Sequence, residues 1–136
     1  MKLNTPWLSR FSKTALAECI KHPLRKKTVL TGLENVDVII VSDKVIAGLH
    51  RRFMNVEGPT DVITFDHGEI VISAPMARTY AKKFGKSLDH EIGLYIIHGL
   101  LHLNGYGDKT VKEARVMHKL QSRILATCLA SPVFRR

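Results

Sequence analysis

Ser87-Leu88-Asp89-His90-Glu91-Ile92-Gly93-Leu94-Tyr95-Ile96-Ile97-His98-Gly99-Leu100-Leu101-His102-Leu103-Asn104-Gly105-Tyr106-Gly107-Asp108 is the stretch on which the fold turns. Ser87 has the chemistry of a helix N-cap, and Asn104-Gly105 that of a helix stop. Between them the chain is nearly all apolar from Ile92 to Leu101, so a helix here is buried around most of its circumference. The run is too short to span a bilayer. His98 and His102 interrupt it four residues apart, one turn of helix, which aims two imidazoles the same way. Gly99 between them leaves room on the helix surface. Gly105 allows the left-handed turn that returns the chain, and Asp108 then reaches back toward the same point. Two neutral imidazoles and one carboxylate suit one Zn²⁺ per chain, with the fourth position left for water.

The flanking elements follow from local signals. Thr5 and Pro6 open a helix whose Leu8, Phe11, Ala15 and Cys19 share a face, and His22-Pro23 ends it. Thr28 to Thr31 has the pattern of a short strand. Val36 to Val41 is β-branched and almost continuously apolar, which predicts a central strand. Asp43 caps a second helix carrying Val45, Leu49 and Phe53, and Asn55 to Pro59 is a loop. Asp61 to Phe65 and Glu69 to Ser73 form a hairpin about Asp66-His67-Gly68. Ser73 caps a third helix ending at Gly85. Thr110-Val111-Lys112-Glu113 is a capping box that opens a last helix bearing Val111, Ala114, Met117, Leu120, Ile124 and Cys128. These signals predict about five helices and a few short strands, and the length of 136 residues a single domain over 1–136.

Composition narrows the function classes. Twenty-one Lys and Arg against twelve Asp and Glu give a net charge of +9. Such a chain suits a polyanionic partner, nucleic acid before anionic membrane. No apolar leader opens the chain, and Cys19 and Cys128 lack metal spacing; both features fit a cytoplasmic protein with reduced, buried thiols. The histidine skeleton resembles the H-E-x-x-H-x-x-G-x-x-H of zincin proteases, but Gly99 occupies the place of their general-base glutamate. Glu91, two turns earlier, is too far along the helix for that role and reads as support for a ligand or as a first-turn carboxylate facing the helix dipole. A two-histidine, one-carboxylate iron oxygenase is a weaker reading, since one helix and its exit loop supply the whole set here.

His98-Gly99-Leu100-Leu101-His102-Leu103 with Gly105-Tyr106 resembles the H-G-x-L-H-L-x-G-Y signature of the YbeY family of bacterial endoribonucleases. Pro59-Thr60-Asp61-Val62-Ile63-Thr64-Phe65 is similar to that family's P-T-D-V-L-S-F, and Gly68-Glu69-Ile70-Val71-Ile72-Ser73 to its G-D-I-V-I-S. The resemblance implies an α+β fold, a small mixed β-sheet packed with about five helices and a single metal-binding cleft. It also implies a zinc-dependent, single-strand-selective endoribonuclease in 16S rRNA maturation and ribosome quality control. Its implied partners are 16S rRNA in the small ribosomal subunit and ribosome assembly factors, with no membrane. Two departures stand out. The family's motif usually ends G-Y-D-H, whereas here Gly105-Tyr106-Gly107-Asp108 puts a carboxylate in the third ligand position. That makes the ion slightly less Lewis-acidic than three imidazoles would. An arginine common in the family falls at Met54. Arg51 and Arg52, one turn earlier, are candidate phosphate contacts and read equally as solvated helix charges. His67, in the hairpin turn, is a candidate to approach the cleft. Two other functions remain open at this point: a ribosome-assembly binding protein with a mainly structural metal, and a metal hydrolase of another substrate class, peptide or small molecule.

Overall fold

The computed structural model describes residues 5–131. In chain order these form α1 (Thr5–Cys19), a 3₁₀ turn (Leu30–Gly32), β1 (Asp37–Val41), α2 (Asp43–Met54), β2 (Val62–Phe65), β3 (Glu69–Ser73), α3 (Ala74–Lys83), α4 (Leu88–Leu103) and α5 (Val111–Ala130). The expected α+β class, with five helices and a small mixed sheet, is what the chain builds.

α4 is the hub. It packs against α1, α3 and α5 and against β2 and β3. The hydroxyl of Ser87 accepts a hydrogen bond from the His90 amide at 3.0 Å and starts it. Ile92, Ile96, Ile97, Leu100, Leu101 and Leu103 are essentially sealed from solvent. Each such side chain contributes roughly 1.5–3 kcal/mol of burial, so together they fix the rotation of α4 before any ligand is considered.

The sheet runs in the order β1-β3-β2. β1 is parallel to β3, with Asp37 opposite Glu69 and Val41 opposite Ser73. β2 is antiparallel to β3, with Val62 opposite Ile72 and Phe65 opposite Glu69, closing the hairpin expected at Asp66-His67-Gly68. Alternation along β3 splits the core. Ile70 and Ile72 face α4 and belong to the main core that α1 and α5 also line, while Val71 joins Ile46 and Ile63 under α2.

Three local expectations give way. β1 is an edge strand, and β3 is central: both are β-branched, but only β3 has a partner on each side, and Ile39 of β1 stays exposed. Thr28 to Thr31 is not a strand. The Thr31 amide donates to the Thr28 hydroxyl and the Thr28 amide to the Thr31 hydroxyl, a local exchange that bends the chain into the 3₁₀ turn. Ser42, not Asp43, caps α2 by accepting from the Val45 amide; the Asp43 carboxylate instead accepts from the Ser73 hydroxyl at 2.6 Å. The caps expected at Ser73 and Thr110 are present, the latter with the full reciprocal box to Glu113. The cap expected from the Thr5 side chain lies outside the described residues.

Candidate metal centre

His98 and His102 leave the same side of α4 with their rings nearly perpendicular, at 85°. Their Nε2 atoms are 3.0 Å apart. Asp108 Oδ2 lies 3.5 Å from the first and 3.4 Å from the second. All three residues predicted as ligands therefore converge.

The return of Asp108 is built from the end of α4. Gly105 takes φ +103°, a conformation costly for any side chain, and its amide donates to the His102 carbonyl. The Tyr106 amide donates back to Leu101 at 3.0 Å. Asn104 then pins the loop to the start of the chain. It is fully buried; its side-chain amide donates to the Cys19 carbonyl at 2.8 Å, and its side-chain oxygen accepts from the Thr28 hydroxyl at 2.8 Å. The Tyr106 hydroxyl adds a bond to the His22 carbonyl.

Each imidazole is oriented through its other nitrogen. His98 Nδ1 donates to the Gln121 side-chain oxygen on α5 at 2.9 Å, and His102 Nδ1 donates to the Tyr106 carbonyl at 3.0 Å. These acceptors fix the tautomer and leave a lone pair on each Nε2. Burial, and after it the neighbouring His98 ring, lowers the pKa of His102 below the ordinary imidazole range, against the upward pull of Asp108 and the Tyr106 carbonyl. Two lone pairs and a carboxylate aimed at one point repel one another unless a cation lies between them. The edges of the triangle also match the separation of about 3.3 Å that donors adopt around an ion bonded at roughly 2.0–2.1 Å. The residues present fit a small divalent ion.

The three donors open onto a cleft of about 480 Å³, walled also by Met54, Thr60, Asp61, Thr64 and Asp66. Asp61 is held by the Val62 amide, which donates to its carboxylate at 2.8 Å. Met54 lines the cleft at the position where the family resemblance places an arginine. Arg51 and Arg52 are exposed on the last turn of α2 and do not line it. Arg51 pairs with Glu57 at 3.4 Å, and Arg52 lies over the Phe53 ring. His67 turns instead to Glu69, with Nε2 2.6 Å from its carboxylate, and stacks on Phe65. Glu91 is buried but bonds neither histidine; Gln121 and a backbone carbonyl hold those rings. A glutamine inside the apolar stripe of α5 was the available signal for Gln121.

Gly99 does not serve the imidazoles. It faces the sheet, where a Cβ would lie 2.9 Å from both Ile70 Cδ1 and Thr64 Oγ1. The position that holds a catalytic glutamate in zincins is here a helix–sheet contact with no space for one.

Residues 4–128 match the family described as Endoribonuclease YbeY. A protein of that name from Frankia alni is 32% identical over 134 residues, covering 84% of this chain and 72% of its own. One from Mycobacterium marinum is 32% identical over 141 residues, covering 90% of this chain and 79% of its own. The solution structure of a Thermotoga maritima protein superposes with a TM-score of 0.65 over 100% of this chain and 96% of its own, at 22% identity, and so shares the fold.

Proposed function

Because this chain belongs to the YbeY endoribonuclease family, we propose that it is a metal-dependent, single-strand-selective endoribonuclease of 16S rRNA maturation and ribosome quality control, working in the cytoplasm as one domain with zinc as its ion. The observation that carries this reading is the convergence of His98, His102 and Asp108 at the mouth of a polar cleft. A zinc ion held there would polarise a phosphoryl oxygen and lower the pKa of a water to roughly 7. The chain's own residues do the rest. Gln121 and the Tyr106 carbonyl orient both imidazoles, with Nε2 toward the ion. Thr60 and Thr64 lie in the cleft wall, with the Thr60 hydroxyl donating to the Asp61 carboxylate. Arg51 and Arg52, exposed on the last turn of α2 that also carries Met54, and the net charge of +9 draw the RNA backbone toward the protein.

Met54 in the cleft wall favours a second reading, a binding protein of ribosome assembly with a mainly structural metal. Among the described residues no helix is long and apolar enough to cross a membrane. Cleavage of single-stranded RNA, including a 16S rRNA fragment, separates the readings. The zinc-loaded protein is expected to cut it, and His102→Ala or chelation to abolish cutting while the chain stays folded. Unfolding on chelation without any cleavage beforehand would favour the binding protein. Cleavage of unfolded casein but not RNA would contradict both.

A further inference from the structure

A second groove of about 400 Å³ adjoins the metal cleft and shares Asp61 with it. It runs between the C-terminal turn of α3 and the first turns of α4. On its α3 side stand Tyr80 and Phe84, two nearly parallel rings 6.0 Å apart between centroids. Phe84 is 59% exposed. The Lys83 ammonium sits 5.6 Å from the centre of that ring, and Lys86 lines the groove. At the wall, Tyr95 is buried with its hydroxyl turned to Glu91, and His90 lines the groove. His90 precedes His98 on α4 by about 12 Å of helix rise. That is a span of roughly two to four nucleotides of single strand.

An exposed ring beside ammonium groups, in a groove adjoining a metal cleft, supplies the ingredients of sequence-tolerant single-strand binding. A peptide would gain little from cations set against aromatic faces; bases joined by phosphates use both. The geometry points to this groove as the track for the unpaired strand flanking the scissile phosphate. One base stacks on Phe84, and Lys83 and Lys86 meet phosphates. This inference rests on the reading of the metal centre as a ribonuclease.

The test is binding of a cleavage-resistant 2′-O-methyl oligouridine of about ten nucleotides, beside an abasic strand of equal length, to the zinc-loaded protein. Phe84→Ala is expected to weaken the base-bearing strand by roughly five- to a hundredfold and Phe84→Trp to restore it. The abasic strand is expected to bind weakly and to ignore both substitutions. Lys83→Gln and Lys86→Gln are each expected to reduce the salt dependence by about one counterion. Unchanged binding by Phe84→Ala, or an equal loss on both strands, overturns the stacking role. Cleavage by the unsubstituted protein separates the two failures. If it cuts RNA while Phe84→Ala binds and cuts identically, only the track is wrong. If it cuts no RNA, the ribonuclease reading falls and the track with it.

Discussion

Replacing Gly99 by alanine puts a methyl group 2.9 Å from Ile70 Cδ1, 2.9 Å from Thr64 Oγ1 and 3.1 Å from Ile70 Cγ1. Ile70 is fully buried on the central strand and cannot swing clear. Overpacking of this kind costs about 1–3 kcal/mol. Against it, alanine gains about 1 kcal/mol over glycine inside a helix. Gly48 is the internal control: it lies within α2, exposed, and a Cβ there meets nothing within 4 Å. Gly48→Ala should therefore stabilise by about 1 kcal/mol, and Gly99→Ala should fall below it by the whole overpacking cost. For a chain of this size that gap is roughly 3–15 °C in Tm. Thermal melts of the metal-free proteins by circular dichroism measure it. If Gly99→Ala raised Tm as much as Gly48→Ala, α4 would not press on the sheet as described, and the argument that this site has no space for a zincin-type glutamate would go with it.

Gln121→Leu should weaken zinc binding roughly 10- to 100-fold in a chelator competition, because His98 loses the acceptor that fixes its tautomer; unchanged affinity would remove Gln121 from the site. The pKa of His102 is depressed in the folded chain below its ordinary 6.5, so its contribution to stability is present above about pH 6.5 and lost as pH falls. Melts of the metal-free protein should show Tm declining in acid, less steeply in His102→Gln; equal slopes would refute the assignment. Burial raises the pKa of both thiols, that of Cys128 to about 11. Near pH 8 they should resist a thiol reagent in the native protein and react when it is unfolded, and native labelling would contradict their burial.

The convergence of His98, His102 and Asp108 was legible in the sequence because it is local. A four-residue spacing, a glycine and a carboxylate three residues on lie within one helix and its exit. The caps at Ser73, Ser87 and Thr110 were legible for the same reason. What depended on distant partners was not. The role of Gly99 is decided by Ile70 and Thr64 arriving from the sheet. The order of β1 and β3 is decided by the crossover through α2, while both strands carry the same β-branched signal. Asn104 reads locally as a helix stop, yet its amide holds Cys19 and Thr28 from the first part of the chain. Gln121 lies 23 residues from His98, and the resemblance to known proteins directs attention to ligands rather than to what orients them.

X-ray absorption at the zinc edge of the loaded protein reads the donor atoms directly. The account expects two imidazole rings and oxygen donors at about 2.0–2.2 Å, with one imidazole lost in His98→Ala. A sulfur shell at about 2.3 Å, or an imidazole count that survives the substitution, would contradict it.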